Sequence, residues 1–351
     1  LDDSKKNKDD KSLYKNQKII VDYLNIYSPY RGLLIYHGLG SGKTCASIAV
    51  AENFLESASS VSIALTEGIM NPKNIIVLTP KSIRKNYMEQ LKECGNKLFR
   101  KNQYWEFVPV SKDYPVELLS KYLHLDKEYI EKKPNPNPSM KKKGGAWMMD
   151  VNKPSNYVTL NAKQKKSLDE QLNKMIEDKY EFLSYNNLTT TFKNEIKKKN
   201  EDNPFDDKVV IIDEAHNFIS RIVNKLGKTT KQQSSDVDIK VSLKLYEFLM
   251  DAQNTRIILL TGTPIINYPN EIAVLFNILR GYIKTFNVTL DKSNLTLTLK
   301  DIQNMFKDNF ISDYIELNGN NLTISRNPNG FLNRYNLSQK KYLGVELDTN
   351  P

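Results

Sequence analysis

Gly32-Leu33-Leu34-Ile35-Tyr36-His37-Gly38-Leu39-Gly40-Ser41-Gly42-Lys43-Thr44, continued by CASIAVAENFLES (45 to 57), is the stretch whose reading decides the fold. A short apolar run leads into glycines at 38, 40 and 42, then a Lys-Thr pair, then a pattern of helix formers. Strand, Gly-rich loop and helix in that order make a phosphate cradle. The glycines let the backbone turn tightly and aim successive N–H groups at phosphate oxygens, and the helix N-terminus favours negative charge. In that setting Lys43 is placed to reach the β- and γ-phosphates of ATP, and the Thr44 hydroxyl to bind Mg²⁺. Gly38, Leu39, Gly40, Ser41, Gly42, Lys43 and Thr44 are the candidate nucleotide-binding residues. The strict G-x-x-x-x-G-K-[ST] spacing calls for Gly where His37 stands, and Gly38 and Gly40 supply the freedom instead. The plainer alternative is an ordinary Gly-rich turn with a capping Thr, which the strand-to-helix context disfavours.

Three more apolar runs read as buried parallel strands: NIIVLTP (74 to 80), KVVIID (208 to 213) and TRIILLTGTP (255 to 264). SIRKNYMEQLKE (82 to 93) and Asn270 to Arg280 follow two of them as helices. This alternation predicts an α/β fold: a phosphate-loop NTPase domain with a central, mostly parallel sheet flanked by helices. Ligands of such sheets sit at the carboxyl ends of the strands.

At one such end stands Asp213-Glu214-Ala215-His216. A carboxylate at the tip of a buried strand needs a partner, and a divalent cation is the natural one. Asp213 is the expected metal ligand beside Thr44, and Glu214 the base that orients and deprotonates an attacking water. Lys43 and Glu214 are thus the candidate catalytic pair. Two acids capping the next helix is the alternative, and the phosphate loop upstream makes it the lesser one. Thr261-Gly262-Thr263-Pro264 ends another buried strand.

The ordered set HGLGSGKT, TPKS, DEAH and TGTP resembles superfamily 2 helicases and Swi2/Snf2-type translocases, whose first motor domain has a RecA-like fold. By that resemblance His216, Thr261, Gly262 and Thr263 couple nucleotide state to nucleic acid. Gln17, in LYKNQKIIVDYL, stands where the family often has a glutamine that reads the adenine edge; a surface glutamine on an amphipathic helix is the other reading. Lys81, Ser82, Arg84 and Lys85 fall in the segment that contacts the DNA or RNA backbone, against the alternative of a solvated helix start. LNKMIEDKYEFLSYNNL (172 to 188), DEAHNFISRIVNK (213 to 225) and LTISRNPNGF (322 to 331) are similar to giant-virus and poxvirus helicases, in the group of the early transcription factor small subunit and nucleoside triphosphatase I. That resemblance covers roughly residues 13 to 345. It implies a DNA-dependent ATPase serving early viral transcription, found in the virion and the host cytoplasm. Its implied partners are nucleic acid, a second RecA-like domain, a further transcription factor subunit and the viral RNA polymerase.

The 351 residues are 39% hydrophobic and 26% charged, with a net charge of +10. A basic balance favours polyanions such as nucleic acid, although a Lys-rich solvated surface explains it equally. No apolar run approaches the roughly 20 residues that cross a bilayer. Cys45 and Cys94 are far apart, which argues for a reducing compartment and against a disulfide framework. Cys45 reads as a small packed residue. With His37, His124 and His216 the only histidines, no zinc site has sensible spacing.

Residues 1 to 12 form a charged lead, 13 to 285 the ATP-binding domain, and 286 to 351 an extension with a hairpin at Asn318-Gly319. An insertion runs from about 100 to 180, with an exposed, flexible Pro/Gly/Lys loop over 132 to 145. Within it Leu168 to Ile176 reads as a helix and 180 to 188 as strand and turn. Trp147 reads as part of a small satellite core, or else as a stacking platform for a base. The lysine runs at 141 to 143 and 197 to 199 read as solvated faces. No second motif set or Q-x-x-G-R-x-x-R run follows Pro264, so the reading expects a piece of a longer protein whose second domain brings the arginine finger, and weak hydrolysis without it. The competing expectations are a chromatin-remodelling or restriction-type translocase, and a non-hydrolysing scaffold that binds DNA or protein.

Overall fold

The computed structural model describes residues 15–25, 28, 30–38, 40–64, 75–136, 144–184, 203–226, 237–283, 285–291, 297–306, 312–326, 331–336 and 341–347. They fall into two compact units divided between residues 279 and 280, with residues 28, 30 and 31 belonging to the second.

The first unit is built on five strands: β1 (Gly32–Tyr36), β2 (Ile75–Thr79), β5 (Tyr180–Ser184), β6 (Val209–Ile212) and β7 (Arg256–Thr261). All are parallel, in the order β1-β7-β6-β2-β5. Ile75–Thr79 and Val209–Ile212 are buried at every position. They are covered on both faces, which is why they read as unbroken apolar runs rather than alternating ones. The helices are α1 (Lys15–Tyr23), α2 (Lys43–Ala64), α3 (Arg84–Cys94), α4 (Val116–Leu123), α5 (Lys127–Lys132), α6 (Ala162–Lys179), α7 (Ala215–Leu226), α8 (Val237–Asp251) and α9 (Asn270–Arg280). One face of the sheet packs Val210, Ile212, Ile257 and Leu259 against Phe218, Ile222, Leu245 and Ile278 of α7, α8 and α9. The expected α/β architecture is present, with a fully parallel sheet.

The insertion adds an antiparallel pair, β3 (Tyr104–Pro109) and β4 (Gly145–Asp150), that the sequence did not reveal. Trp105 and Trp147 are each 2% exposed and hold this small core together. Trp147 donates to Ser167 Oγ at 3.2 Å and lies edge-on to Phe107, so it is core and cannot stack on a base. The expected helix at 168 to 176 is longer. Asn161 and Gln164 form a capping box that starts it at Ala162.

The loop expected over 132 to 145 needs correction at its ends. Lys132 closes α5, and Lys133 is only 4% exposed, its ammonium donating to Tyr129 Oη at 2.6 Å and Ser167 O at 3.1 Å. Gly144 and Gly145 are buried too. Residues 137 to 143, with their lysine run, lie outside the described residues, as do 185 to 188 and 197 to 199.

The second correction concerns the cysteines. Cys45 and Cys94 form a disulfide, their Cα atoms 5.7 Å apart. The first turn of α2 lies beside the last turn of α3, so a separation of 49 residues in sequence closes to contact.

In the second unit β8 (Thr285–Thr289), β10 (Asn321–Arg326) and β9 (Ser312–Asn318) form an antiparallel sheet in that order. α10 (Leu299–Met305) precedes β9, and β11 (Phe331–Asn336) pairs with β12 (Lys341–Leu347). The hairpin signal is realised: Asn318 pairs with Asn321, and Gly319 sits at φ 61° in the turn.

Candidate active site

The carboxyl ends of β1, β7 and β6 lie side by side because the strands are parallel neighbours. The phosphate loop follows β1, Thr261-Gly262-Thr263 ends and follows β7, and Asp213-Glu214 follows β6. The three motifs therefore meet at one edge of one sheet.

Gly40 and Gly42 have φ of 76° and 80°, a left-handed backbone that glycine adopts without strain. A Cβ on Gly38 or Gly40 would meet nothing within 4 Å, so open space lies beside the loop at both positions. Lys43 Nζ folds back over the loop and donates to His37 O at 2.7 Å and Gly38 O at 3.0 Å. Ser41 Oγ donates to Gly38 O at 2.8 Å. Leu39 lies outside the described residues. Thr44 occupies the first turn of α2 and is half-buried.

Gln17 is 3% exposed and donates from Nε2 to Gly42 O at 3.2 Å. A Cβ on Gly42 would stand 2.7 Å from that nitrogen, so α1 is locked onto the loop and only glycine fits beneath it. The reading of Gln17 as a surface glutamine falls. α1 as a whole packs against α2, the helix that the loop opens.

Asp213 is 9% exposed, and its backbone N–H donates to Leu78 O at 2.8 Å, continuing the β6–β2 ladder. Burial, with the charge of Glu214 beside it, pushes the Asp213 carboxyl up to about 6, against the pull of the Glu214 N–H and of Lys43. That pull means the loop lysine and the strand-end acid act on one another across β7. Glu214 has φ 49°, a left-handed conformation costing about 1–3 kcal/mol in a non-glycine residue. Its N–H donates to Asp213 Oδ1 at 3.0 Å.

His216, on the first turn of α7, joins the second and third motifs. Its Nδ1 is 2.8 Å from Thr261 Oγ1, 3.4 Å from Thr263 Oγ1 and 3.5 Å from Glu214 Oε2. Thr261 is fully buried and its Oγ1 accepts from Thr263 N–H at 3.0 Å. Gly262 brings the β7 end against the loop: a Cβ there would sit 3.6 Å from His37 O and 3.8 Å from Lys43 Nζ. A continuous polar path thus runs from Glu214 through His216 to the segment that touches Lys43.

Lys81, Ser82 and Lys85 are exposed at the start of α3, beyond the end of β2. Arg84 is engaged differently, paired with Glu177 at 3.3 Å and lying 5.1 Å over the Phe182 ring. Sequence reasoning missed Glu271, which is 1% exposed and accepts from the backbone N–H of Ile266 at 2.7 Å and of Asn267 at 3.3 Å. It holds the loop that follows Pro264. Its signal was an acid in the first turn of a helix, where carboxylates bind free N–H groups.

Among the described residues no group of three or more His, Cys, Asp or Glu side chains could hold a metal by itself. A divalent cation here would draw on Asp213, Thr44 and oxygens of a bound phosphate chain, and a buried carboxylate pushed up to about 6 fits that demand. Chemically, the edge offers a phosphate cradle, a cation-seeking acid, and a second acid placed to take a proton.

No protein-family model matches the chain. Two relatives come from Acanthamoeba polyphaga mimivirus: "Putative ATP-dependent RNA helicase R563", 27% identical over 265 residues, and "Putative ATP-dependent RNA helicase R350", 27% identical over 307 residues. They cover 75% and 85% of this chain. A "Termination factor NPH-I homolog" of African swine fever virus is 24% identical over 253 residues, 72% of this chain. The chain spans only 32%, 27% and 23% of the lengths of these three. A solved SWI2/SNF2 ATPase core from Sulfolobus solfataricus in complex with dsDNA matches with a TM-score of 0.34 and 13% identity, over 76% of this chain and 36% of that one. In sequence the chain is similar to viral proteins named as ATP-dependent RNA helicases and to NPH-I termination factor homologues.

Proposed function

We propose that this chain is the first motor domain of a nucleic-acid-dependent ATPase of the helicase and translocase type. The single observation that carries the reading is the meeting of three motifs at one sheet edge, with His216 bonded to Thr261 and Gly262 set against the phosphate loop. In this reading the loop N–H groups of residues 38 to 42 and Lys43 hold the β- and γ-phosphates of ATP, and Gln17 braces the loop beside the adenine. Lys43 gives up the carbonyls of His37 and Gly38 for phosphate oxygens. A divalent cation, Mg²⁺ being the usual one, supplies neutralising charge between Asp213, Thr44 and the phosphates. Glu214 takes the proton of the attacking water. The Glu214–His216–Thr261–Thr263 path then reports nucleotide state to nucleic acid held at Lys81, Ser82 and Lys85. Arg84 contributes there only by leaving Glu177.

We infer further a role in viral early transcription, in the virion and host cytoplasm, beside a second RecA-like domain, a further transcription factor subunit and the viral RNA polymerase; the relatives named termination factor homologues support the transcription part of this reading. The test is phosphate release with and without double-stranded DNA, single-stranded DNA and RNA, for the wild type, Lys43→Ala and Glu214→Gln. Polymer-stimulated release that both substitutions abolish is the expected result. Tight ATP binding with no release on any polymer, in the longer protein as well, overturns it in favour of a scaffold.

A further inference from the structure

Away from the sheet edge, the insertion carries a cleft of about 810 Å³ between α5 and α6. Its floor is Lys133, 4% exposed, and one wall is the stripe Lys163, Lys166, Glu170 and Lys174 on a single face of α6. Those positions step by three and four residues, so they stack along the helix over about 16 Å. The charges do not cancel. Lys127 and Lys132 line the cleft but are paired with Glu117 and Glu128. Among the described residues no carboxylate lies within ion-pair distance of Lys133, Lys163, Lys166 or Lys174, against two lining acids, Asp126 and Glu170, that are likewise without an ion pair.

Tyr129 organises the floor. Lys133 Nζ lies 4.7 Å and Lys174 Nζ 5.0 Å from its ring centroid, so two ammonium groups are held over one aromatic ring in place of a carboxylate. Burial pushes Lys133 down to about 8, only partly offset by Glu170. An anion entering the cleft would restore its full charge. A buried lysine with no acid within ion-pair distance, in a concave surface whose other unpaired lysines outnumber its unpaired acids, fits a polyanion.

We propose that the α5–α6 cleft is a second nucleic-acid contact surface, binding the phosphodiester backbone through Lys133, Lys163, Lys166 and Lys174. It would anchor the polymer without regard to base sequence, because lysine ammonium groups act as point charges on phosphate. A nucleic acid is favoured over an acidic protein segment because the proposed function already gives this chain a polyanion to hold, and the cleft lining carries more lysines than acids. The proposal rests on the functional reading only in taking nucleic acid as the polymer. It does not depend on hydrolysis.

The experiment is the salt dependence of binding to a labelled duplex several turns long, read by anisotropy with the 351-residue chain. The variant is K163Q/K166Q/K174Q, and the charge-matched control is K112Q/K121Q/K300Q, three exposed lysines elsewhere. Each lost phosphate contact lowers the slope of log K against log salt by about 0.9. The cleft variant is expected to lose about 2–3 in slope and to bind at least tenfold more weakly at low salt, with its melting temperature kept. The control should lose less than 1. Equal losses in both triples overturn the cleft while leaving the ATPase reading intact. Competition by polyglutamate as strong as by unlabelled duplex, at equal charge concentration, overturns nucleic acid as the occupant. A wild type that binds no nucleic acid overturns both proposals, whereas phosphate release unaffected by Lys43→Ala sinks the ATPase reading alone.

Discussion

The carboxyl edge of the central sheet and the insertion are built in opposite ways, although both bury polar groups. At the edge, Asp213 sits with Glu214 and is pushed up to about 6, Glu214 holds a left-handed backbone, and Lys43 spends its charge on two carbonyls. Where α3 meets α6 of the insertion, Lys92 is 1% exposed yet lies 3.0 Å from Glu89 and 2.7 Å from Asp169, and Lys101 reaches the same two acids at 2.6 and 3.2 Å. Gln171, fully buried, accepts from Trp147 N–H and donates to Trp147 O, both at 2.8 Å. Its side-chain amide stands in for a neighbouring strand along β4. At the edge a raised carboxyl and a left-handed backbone meet, while Lys92, Lys101 and Gln171 find their partners within the chain. Backbone strain gathers where a site must be ready for something else.

The largest expected effect breaks the edge at its base. Glu214→Gln keeps shape and removes the proton acceptor, so phosphate release should fall 10²- to 10⁴-fold while nucleotide affinity changes little. Single-turnover release and equilibrium nucleotide binding, measured side by side, check this. A drop in affinity equal to the drop in rate would make Glu214 a binding residue and remove its catalytic role.

Next comes the tether between the loop helix and α3. Closing a loop of about 50 residues with the Cys45–Cys94 bridge is worth about 4 kcal/mol on the chain-entropy account. Reductant, or the Cys45→Ala/Cys94→Ala pair, should lower the melting temperature accordingly. Denaturant unfolding with and without reductant reads it directly; an unchanged midpoint would mean that packing of α2 on α3 alone holds the two helices.

How much of this was legible follows from range in sequence. The loop, Asp213-Glu214 and Thr261-Gly262-Thr263 are each contiguous, and each strand before them is a short apolar run, so the parallel fold and the meeting of the three motifs could be read directly. Gln17 could not be decided, because its partner is the backbone of Gly42, 25 residues away. The cysteine pair was misread because helix neighbours are invisible to spacing. β3 and β4 were missed because YWEFVP and GAWMMD lie 35 residues apart, and only their pairing makes a sheet of them. Lys133 was taken for loop because a Lys-Pro-rich run reads as solvent-exposed, while the burial comes from Tyr129 and α6.

The comparison sharpens into a difference of sign with Asp213→Asn. The folded carboxyl at about 6 lies above its ordinary 3.8, so folding binds a proton and ionised Asp213 opposes the folded state above pH 6. The penalty fades as pH falls from 6 toward 4. Without nucleotide and in chelator, Asp213→Asn should therefore be more stable than the wild type at pH 7.5, by at most about 3 kcal/mol. The difference should vanish near pH 4. It should also abolish hydrolysis. A variant less stable than the wild type at pH 7.5 would show that the acid is satisfied within the chain, and the contrast between the two regions would go.

The corresponding change in the insertion should act the other way and by less. Gln171→Leu fills nearly the same volume but leaves the Trp147 N–H and C=O buried without their partners, which costs about 2 kcal/mol. No titrating group is involved, so the loss should be the same at pH 7.5 and pH 5, unlike that of Asp213→Asn. Phosphate release by the folded protein should stay within twofold of wild type, because the amide bonds only β4 and Met175 of its own helix. Denaturant midpoints at the two pH values, with release measured at the lower temperature where both proteins are folded, test it. If Gln171→Leu slowed hydrolysis as well, the insertion would be coupled to the nucleotide edge through α6 and β5 rather than serving as a self-contained scaffold.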